Sequence, residues 1–451
     1  MQKHLPSVFF LSFFLLSLSF LSCDKEEIKD YNKYPIDFKL EQLSNGGFKY
    51  SWNAINTSDF KEYWIVRNSV DSVPYININN RDLLSEKSSI IARITDASLT
   101  EIIDTVTLFN GKNFVRIFAF LENRALSSLS KEVKGLDNIF EINKRADNII
   151  FDKKSNLFYG FDAKLNQISS INPSTLNTSS SNTINNIDFS KEIYLYESTG
   201  NSQLYTPIFN GNYAVLSLPS FNFFASDNFF LSNISMLVGR NTFIVAGGTK
   251  NDLLSKSKSN VFVQFSNSVV LKSLNKLNLS PLVRWNSTNN EVLALTVSDS
   301  TSILNVVSLS SNGVLSLKSN LPLTLKSKTA ITTNFILTPN NSFILLDDAG
   351  QIIEPSTLEK KGTLAERAKV KDVKYLSFCF STDEKFVYAL RDANRNSEKN
   401  IDVFNYPSFD YVKSIAYKSK PKQIFYHDNK LKLVGESPNN TNFTMFEVIK
   451  P

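Results

Sequence analysis

The chain has 451 residues and a formal net charge of +6, from 49 Lys and Arg against 43 Asp and Glu. This charge is modest for the length and is spread without a basic block, so nucleic acid is not expected as a partner. Only two His and two Cys are present, too few for a zinc site that draws on several such ligands. Abundant Phe (36) and Tyr (16) with scarce Gly (14) predict an all-β protein whose turns rely on Asn, Asp and Ser.

The N-terminus carries a targeting signal. A short basic start precedes an apolar run over residues 8–21, which is too short to cross a bilayer comfortably and has the length of a signal-peptide core. The run ends at Ser22 and Cys23. A small residue directly before a cysteine resembles the bacterial lipobox, which implies cleavage before Cys23 and acylation of its thiol. We therefore expect residues 1–22 to be a lipoprotein signal peptide and Cys23 to attach the protein to a lipid bilayer.

Residues 23–35 are predicted to be a charged tether with too little apolar surface to fold alone. The four residues after the cysteine are Asp24, Lys25, Glu26 and Glu27. They resemble the export signal of surface lipoproteins in the Bacteroidetes, which implies an outer-membrane protein that faces the cell exterior. Two alternatives stay open. The first is an ordinary signal peptide with a chance cysteine, because Phe20 stands where the lipobox usually has Leu. The second is a solvated charged tether with no export role, because charge runs are often no more than that.

Processing would leave few reactive side chains. Cleavage removes His4 and acylation occupies Cys23, so Cys379 has no partner for an intrachain disulfide. A Ser-His-Asp triad would have to use His427, and no Gly-x-Ser-x-Gly elbow accompanies it. The sequence Tyr-His-Asp-Asn at residues 426–429 predicts instead a turn histidine between two strands.

The first folded domain is predicted over residues 36–135. Roughly seven short strands in about 100 residues are typical of a β-sandwich. Phe48, Tyr50 and Trp52 alternate along one strand and are expected to share its buried face. The strand-like runs are Ile36–Leu43, Gly47–Trp52, Tyr63–Arg67, Ile102–Asp104, Phe114–Phe120 and Ser127–Val133.

This first segment resembles a fibronectin type III domain. Trp52 matches the buried tryptophan of the family's second strand, and residues 63–67 match the third strand. Asp104 and residues 113–119 match the last part of the family, although Asn113 stands where the family has a tyrosine in its sixth strand. The resemblance implies a spacer or binding module with Trp52 in its core.

Residues 138–451 contain a diverged repeat in which two strands are joined by a polar turn. The turns recur about every 40 to 50 residues, which matches the length of a four-stranded propeller blade. They lie near Ser155, Thr199, Arg240, Thr288, Asn340, Thr382 and Asp428. This part resembles seven-bladed β-propellers of the YVTN or WD-like superfamily. Two stacked sandwiches are the competing interpretation.

A propeller must also close its ring. The last repeat shows three strands, of which the third covers residues 442–449. We predict that residues 139–142 supply the missing outer strand.

No catalytic, metal or cofactor site is expected. The acidic pairs at residues 347–348 and 383–384 are predicted to be solvated charges in turns. Carboxylates from separate blades can meet above a propeller channel, as in glycoside hydrolases, so a hydrolase is kept as an alternative.

Three tripeptides that begin with Asp resemble the O-glycosylation motif of the Bacteroidetes. The resemblance implies modification of Ser72, Thr105 and Ser300, although Asp104 and Thr105 are equally suited to a structural turn.

Two function classes follow. The first is a non-enzymatic binding or scaffold subunit of an outer-membrane complex for nutrient uptake, secretion or barrel assembly, with a β-barrel or other surface lipoproteins as partners. The second is capture of a glycan or peptide, with sugars stacked on aromatic side chains such as Trp285, Tyr213 or Phe223. Exposed rings around one face would favour capture, although a core position is the favoured interpretation for each of these three residues.

Overall fold

A computed structural model describes residues 35–43, 47–68, 72–76, 78–79, 88–104, 112–184, 187, 189, 193–197, 201–208, 212–228, 233–240, 243–252, 255–265, 272–273, 282–297, 301–311, 314–323, 334–396, 398–437 and 442–451. Over these residues the fold is all-β, with two short helices at Leu364–Arg367 and Ala393–Asn396. In these described ranges no helix has the length and hydrophobicity that a membrane crossing requires. The chain divides into two compact units. The first unit ends at Lys134, and the main part of the second unit begins at Gly135.

The first unit consists of two antiparallel sheets. One has the strand order β1-β2-β5, and the other has the order β4-β3-β6-β7 with β8 also paired to β6. The strands are β1 (Phe38–Gln42), β2 (Phe48–Trp52), β3 (Phe60–Asn68), β4 (Ser88–Ile94), β5 (Glu101–Asp104), β6 (Lys112–Leu121), β7 (Ala125–Ser127) and β8 (Lys131–Lys134).

Aromatic side chains form the core between these two sheets. Phe48, Tyr50 and Trp52 are buried on one face of β2, as the alternation predicted. Trp52 meets Tyr63 of the other sheet edge to face, with ring centroids 5.4 Å apart. The predicted core role of Trp52 is therefore confirmed.

One predicted strand of this unit was wrong in its extent. Residues 127–133 were expected to form a single strand, but the chain leaves β6 after Ser127 and pairs with it again from Lys131. Ser128 explains the break, because its side-chain oxygen accepts the backbone N–H of Ile117 at 3.0 Å. A serine side chain that competes for a ladder donor interrupts regular pairing.

In the part of the second unit that the structure describes, the strands form seven four-stranded antiparallel sheets, which we number 1 to 7. Sheets 1 to 6 are each built from four consecutive strands, and sheet 7 has the order β34-β35-β36-β9. The strands are, before sheet 1, β9 (Ile139–Ile142); in sheet 1, β10 (Asn148–Asp152), β11 (Leu157–Asp162), β12 (Gln167–Ile171) and β13 (Thr178–Thr183); in sheet 2, β14 (Tyr194–Glu197), β15 (Ser202–Ile208), β16 (Asn212–Ser217) and β17 (Asn222–Asn228); in sheet 3, β18 (Asn233–Arg240), β19 (Phe243–Asp252), β20 (Ser255–Phe265) and β21 (Lys272–Ser273); in sheet 4, β22 (Leu282–Asn286), β23 (Glu291–Val297), β24 (Ser302–Leu309) and β25 (Leu315–Leu323); in sheet 5, β26 (Phe335–Leu337), β27 (Ile344–Leu346), β28 (Gln351–Ile353) and β29 (Lys360–Thr363); in sheet 6, β30 (Tyr375–Phe380), β31 (Phe386–Arg391), β32 (Asn400–Asn405) and β33 (Tyr411–Ala416); in sheet 7, β34 (Gln423–His427), β35 (Lys430–Glu436) and β36 (Thr444–Ile449).

The first strands of neighbouring sheets lie side by side, for example β30 beside β34 and β22 beside β26. Sheets that follow one another in this way, each a meander, form a β-propeller-like fold. Apolar clusters fill the space between neighbouring sheets, as between sheets 4 and 5, where Leu293 and Ile344 belong to one cluster.

A polar residue ends the first strand of several sheets and shapes the turn that follows. In sheet 1, Asp152 accepts the backbone N–H groups of Lys154 and Ser155. In sheet 6, Ser381 accepts the N–H groups of Lys385 and Phe386, both at 3.0 Å. Side chains of this kind replace backbone partners in tight turns, which explains how a glycine-poor chain makes its turns.

The turn between the third and fourth strands of four sheets places a large apolar residue between that sheet and the preceding one. We call these segments wedge turns; they are Pro173–Leu176, Pro219–Phe221, Pro355–Leu358 and Pro407–Phe409. Each has Pro-Ser at its start, and each ends on a buried Leu or Phe with a positive φ between 57° and 59°. That backbone costs a Leu or Phe about 1–2 kcal/mol. Full burial of the side chain contributes about 1.5–3 kcal/mol and offsets the cost.

Sheet 7 joins the two ends of the unit. Its outer strand is β9, which pairs with β36 through Phe140 opposite Phe446 and Ile142 opposite Thr444. The predicted closing role of residues 139–142 is therefore confirmed. Phe446 also contacts Phe158 of sheet 1, with ring centroids 5.9 Å apart, so the pairing brings sheets 7 and 1 into one apolar cluster.

Candidate functional site

Two cavities run along the first strands of sheets 1, 5, 6 and 7. The smaller has a volume of about 260 Å³ and lies at the start of these strands, where Asp147, Asp347 and Lys422 line it. The larger has a volume of about 680 Å³ and lies toward their ends, where Phe151 and Phe425 line it. Together they mark the central channel of the second unit, polar at one end and largely aromatic at the other.

The charged groups at the polar end are neutralised within the chain. Arg145 donates to both oxygens of Asp147, with Nη2 2.6 Å from Oδ1. Burial raises the pKa of Asp147, but the hydrogen bonds from Arg145 and from the N–H of Ala163 outweigh it and lower the pKa overall. Lys374 lies 3.1 Å from the buried carboxylate of Asp347. Each carboxylate is thus paired with a basic side chain of the same unit.

Gln423 holds sheets 7 and 1 together at the channel wall. Its side-chain oxygen accepts the N–H of Ile149 at 3.0 Å, and its Nε2 donates to Asn148 at 2.9 Å and to the carbonyl of Ile149 at 3.2 Å. Ser377 accepts the N–H of Ile424 at 3.4 Å in the same way between sheets 6 and 7. The polar lining of the channel thus serves to connect the sheets.

The aromatic end of the channel contains the histidine that the sequence placed in a turn. That prediction was wrong by one residue, because His427 is the last residue of β34 and the turn begins at Asp428. Its Nε2 lies 2.8 Å from Oδ1 of Asn156 in sheet 1, and its ring meets Phe151 edge to face. Burial lowers the pKa of His427. The positive charge of Lys432 lowers the pKa further, and the negative charge of Asp428 raises it without outweighing burial. The histidine thus contacts sheet 1 through Asn156 and Phe151.

Cys379 also lies on the wall of the larger cavity, in β30. Burial raises the pKa of its thiol, so the thiolate that would act as nucleophile is scarce at neutral pH.

A buried ionic network crosses all four strands of sheet 6. Asp402 accepts from Arg391 through Nε at 2.8 Å and Nη2 at 2.7 Å, from the hydroxyl of Tyr375 at 2.8 Å, and from Ser414 at 2.6 Å. Burial alone would lower the pKa of Arg391, but the bonds to Asp402 raise it. Both carboxylate oxygens of Asp402 thus accept hydrogen bonds, and these bonds connect its strand to the other three strands of the sheet.

A third cavity, which we call the 6–7 groove, opens between sheets 6 and 7 and has a volume of about 720 Å³. On sheet 6 the partners Tyr388, Val403 and Lys413 form one cross-strand row of its wall. On sheet 7 the wall includes Tyr426, whose ring stacks on Tyr388 at 5.4 Å and 14°. Val412 at the rim is 43% exposed. The groove therefore combines apolar walls with polar lining residues that include Asp383 and Lys413.

The sequence-predicted site residues are mostly not part of these cavities. Cys23, Asp24, Lys25, Glu26 and Glu27 lie outside the described residues. Two of the three expected glycosylation sites, Thr105 and Ser300, also lie outside them. Ser72 is described and exposed, next to the buried Val73.

Two of the three residues considered for stacking on sugars have the core position that the sequence analysis favoured. Trp285 and Tyr213 are buried between sheets, and the side chain of Phe223 lies outside the described part. The expectation of solvated acidic turns holds for Asp383 and Glu384, which are exposed, but was wrong for Asp347, which is buried against Lys374. Among the residues that the structure describes, no group of three or more His, Cys, Asp and Glu is placed to hold a metal ion.

Neither a protein-family model nor a curated protein matches the sequence. A search of solved structures finds the β-propeller domain of Cps50 (Swd1) from Myceliophteria thermophila, at 12% identity and a TM-score of 0.48. The match covers 69% of this chain and 98% of that chain. We take the fold from the order and pairing of the seven sheets themselves.

Proposed function

We propose that this protein is a surface lipoprotein of the Bacteroidetes type that acts as a non-enzymatic binding or scaffold subunit of an outer-membrane complex. Acylated Cys23 attaches it to the membrane, and residues 24–27 direct it to the cell exterior. In this proposal the first unit is a fibronectin type III-like spacer and the seven sheets are the blades of a seven-bladed propeller. No cofactor is required, and neither nucleic acid nor a metal takes part.

One observation carries the non-enzymatic assignment. The polar side chains of the channel are engaged with one another across sheet boundaries, as Gln423 is with Ile149 and as Lys374 is with Asp347. Groups held in this way stabilise the fold and have no free position for a reacting atom. What the second unit offers to a ligand is surface, chiefly the 6–7 groove. Glycan capture gains no support from Trp285 and Tyr213, because both rings are buried.

The test is recovery of the protein from its native outer membrane in mild detergent, followed by mass spectrometry. An epitope tag belongs in the exposed turn beside Leu165, because Pro451 lines the groove. We expect a β-barrel protein or a second lipoprotein at near-equal stoichiometry. The matched control is Cys23→Ser, which keeps both folded units and removes the anchor. Recovery of the lipoprotein alone, or equal recovery of the same proteins with Cys23→Ser, contradicts the proposal.

A further inference from the structure

The 6–7 groove occupies the position that a wedge turn fills elsewhere in the second unit. Phe409 of sheet 6 packs on Phe343 of sheet 5 at 5.2 Å, and Phe221 of sheet 2 packs on Tyr159 of sheet 1 at 5.6 Å. Leu176 and Leu358 take the same place between sheets 7 and 1 and between sheets 4 and 5. Each wedge turn thus inserts one Leu or Phe between its own sheet and the preceding one.

Sheet 7 has no wedge turn because its third and fourth strands are not consecutive. The third strand is β36 and the fourth is β9, which comes from the other end of the unit. A wedge from sheet 7 would enter between sheets 6 and 7, which is where the groove lies. The Pro-Ser wedge segment is also absent between the third and fourth strands of sheets 3 and 4, and it is the boundary between sheets 6 and 7 that opens into the groove.

The walls of the groove have the chemistry that surrounds the four existing wedges. Phe386, Tyr388 and Val403 supply apolar surface from sheet 6, and Tyr426 supplies an aromatic ring from sheet 7. The groove volume of about 720 Å³ falls in the range of about 300–1,000 Å³ that ligand sites occupy. Lys413 at the rim places a positive charge beside the apolar floor.

We propose that the 6–7 groove binds a turn from a partner polypeptide, which inserts a Leu or Phe side chain between sheets 6 and 7 as a wedge supplied from outside. The chain's own wedges are each followed by Asn or an acidic residue, namely Asn177, Asn222, Glu359 and Asp410. Lys413 and Asp383 both line the groove, so a neutral residue such as Asn after the inserted side chain avoids repulsion by either charge. This inference rests on the proposed binding role and names the chemistry of the partner segment.

The test uses the full chain purified in detergent and a fluorescent peptide with the sequence of residues 170–179, Ser-Ile-Asn-Pro-Ser-Thr-Leu-Asn-Thr-Ser. We expect saturable binding, and binding about tenfold or more weaker for the same peptide with Leu replaced by Ala, since one buried leucine side chain is lost. Val412→Arg puts a charge at the groove rim and is expected to weaken binding by a similar factor. Val314→Arg is the matched control, because Val314 is 47% exposed on sheet 4 and Val412 is 43% exposed.

Equal binding of the Leu and Ala peptides, or equal loss with Val314→Arg, overturns the proposal. Absence of binding at millimolar peptide overturns it as well. Sedimentation of the chain without peptide gives a further outcome: self-association that Val412→Arg removes assigns the groove to a second copy and overturns the partner segment. Because these measurements use purified protein, failure of the groove to bind peptide leaves the membrane pull-down result standing, and the two failures are distinguishable.

Discussion

Asn138 and Val448 exchange two hydrogen bonds although 310 residues separate them in sequence. The N–H of Val448 donates to the carbonyl of Asn138 at 2.8 Å, and Nδ2 of Asn138 donates to the carbonyl of Val448 at 3.2 Å. They extend the pairing of β9 with β36 by one residue. The second unit is therefore held closed by a contact between its first and last segments, and its stability depends on that contact.

Deleting residues 138–143 tests this closure. The deletion removes β9, exposes Phe446 and leaves the backbone of β36 without partners, each lost partner costing about 1–3 kcal/mol. We expect the melting temperature to fall by about 10 °C or more, measured by circular dichroism. Leu165→Ser, a change at an exposed turn residue, is the control and is expected to have little effect. An unchanged melting curve for the deletion contradicts the closing role of β9.

Asp402→Ala tests the ionic network of sheet 6. The change leaves the Arg391 guanidinium buried without its bidentate partner, which costs about 3–5 kcal/mol in such sites. Chemical unfolding measures the loss. The control is Asp410→Ala, because Asp410 is exposed and lies 3.8 Å from Arg367, a surface contact worth about 0–1 kcal/mol. Similar losses for the two variants would show that the network does not stabilise the sheet.

His427 predicts a pH dependence of stability with a definite sign. Its pKa is lowered in the folded protein, chiefly by burial, so the unfolded chain binds the proton more tightly. The contribution of unprotonated His427 to the free energy of unfolding is fully present above the ordinary histidine pKa of about 6.5. This contribution is lost as the pH falls below that value.

The measurement is the unfolding free energy at pH 7.5 and pH 5.0 for the wild type and for His427→Gln. Glutamine cannot titrate, so the difference between the two proteins isolates the histidine from the carboxylates. We expect the wild type to lose more stability than the variant on acidification. A larger loss in the variant contradicts the lowered pKa.

Phe409→Ala tests the wedge turns. Phe409 is buried between sheets 5 and 6, and removal of such a ring costs about 3–5 kcal/mol because a cavity remains. The control is Val412→Ala, because Val412 is the second residue of β33 and is exposed. This change is expected to lower the free energy of unfolding by less than about 1 kcal/mol. Urea unfolding compares the two variants. Equal effects would mean that the wedge adds no packing between the sheets.

Cys379 is expected to react slowly with thiol reagents in the folded protein, because burial raises its pKa and the reactive form is the thiolate. In a Cys23→Ser variant it is the sole thiol of the chain. We expect rapid labelling by iodoacetamide only after unfolding. Equal labelling rates before and after unfolding contradict the protected environment.

The wedge turns show what sequence reasoning can find and what it can miss. The polar turns between first and second strands were visible because strand runs flank them, and they led to the repeat and to residues 139–142 as the closing strand. The Pro-Ser-Thr-Leu and Pro-Ser-Phe segments also mark a turn, and the predicted repeat does not include them. They lie between the third and fourth strands of sheets 1, 2, 5 and 6. Because sheets 3, 4 and 7 all lack them, the position of the groove depends on how the sheets pack.

By itself, the sequence determined the all-β class, the alternation that buries Phe48, Tyr50 and Trp52, and the positions of the strand pairs, because these depend on neighbours a few residues apart. It also predicts the lipid anchor at Cys23. Only the tertiary structure decided that Asp347 is buried against Lys374 and that a groove opens between sheets 6 and 7. These features depend on which sheets become neighbours, and residues from both ends of the unit, more than 300 positions apart, meet in sheet 7.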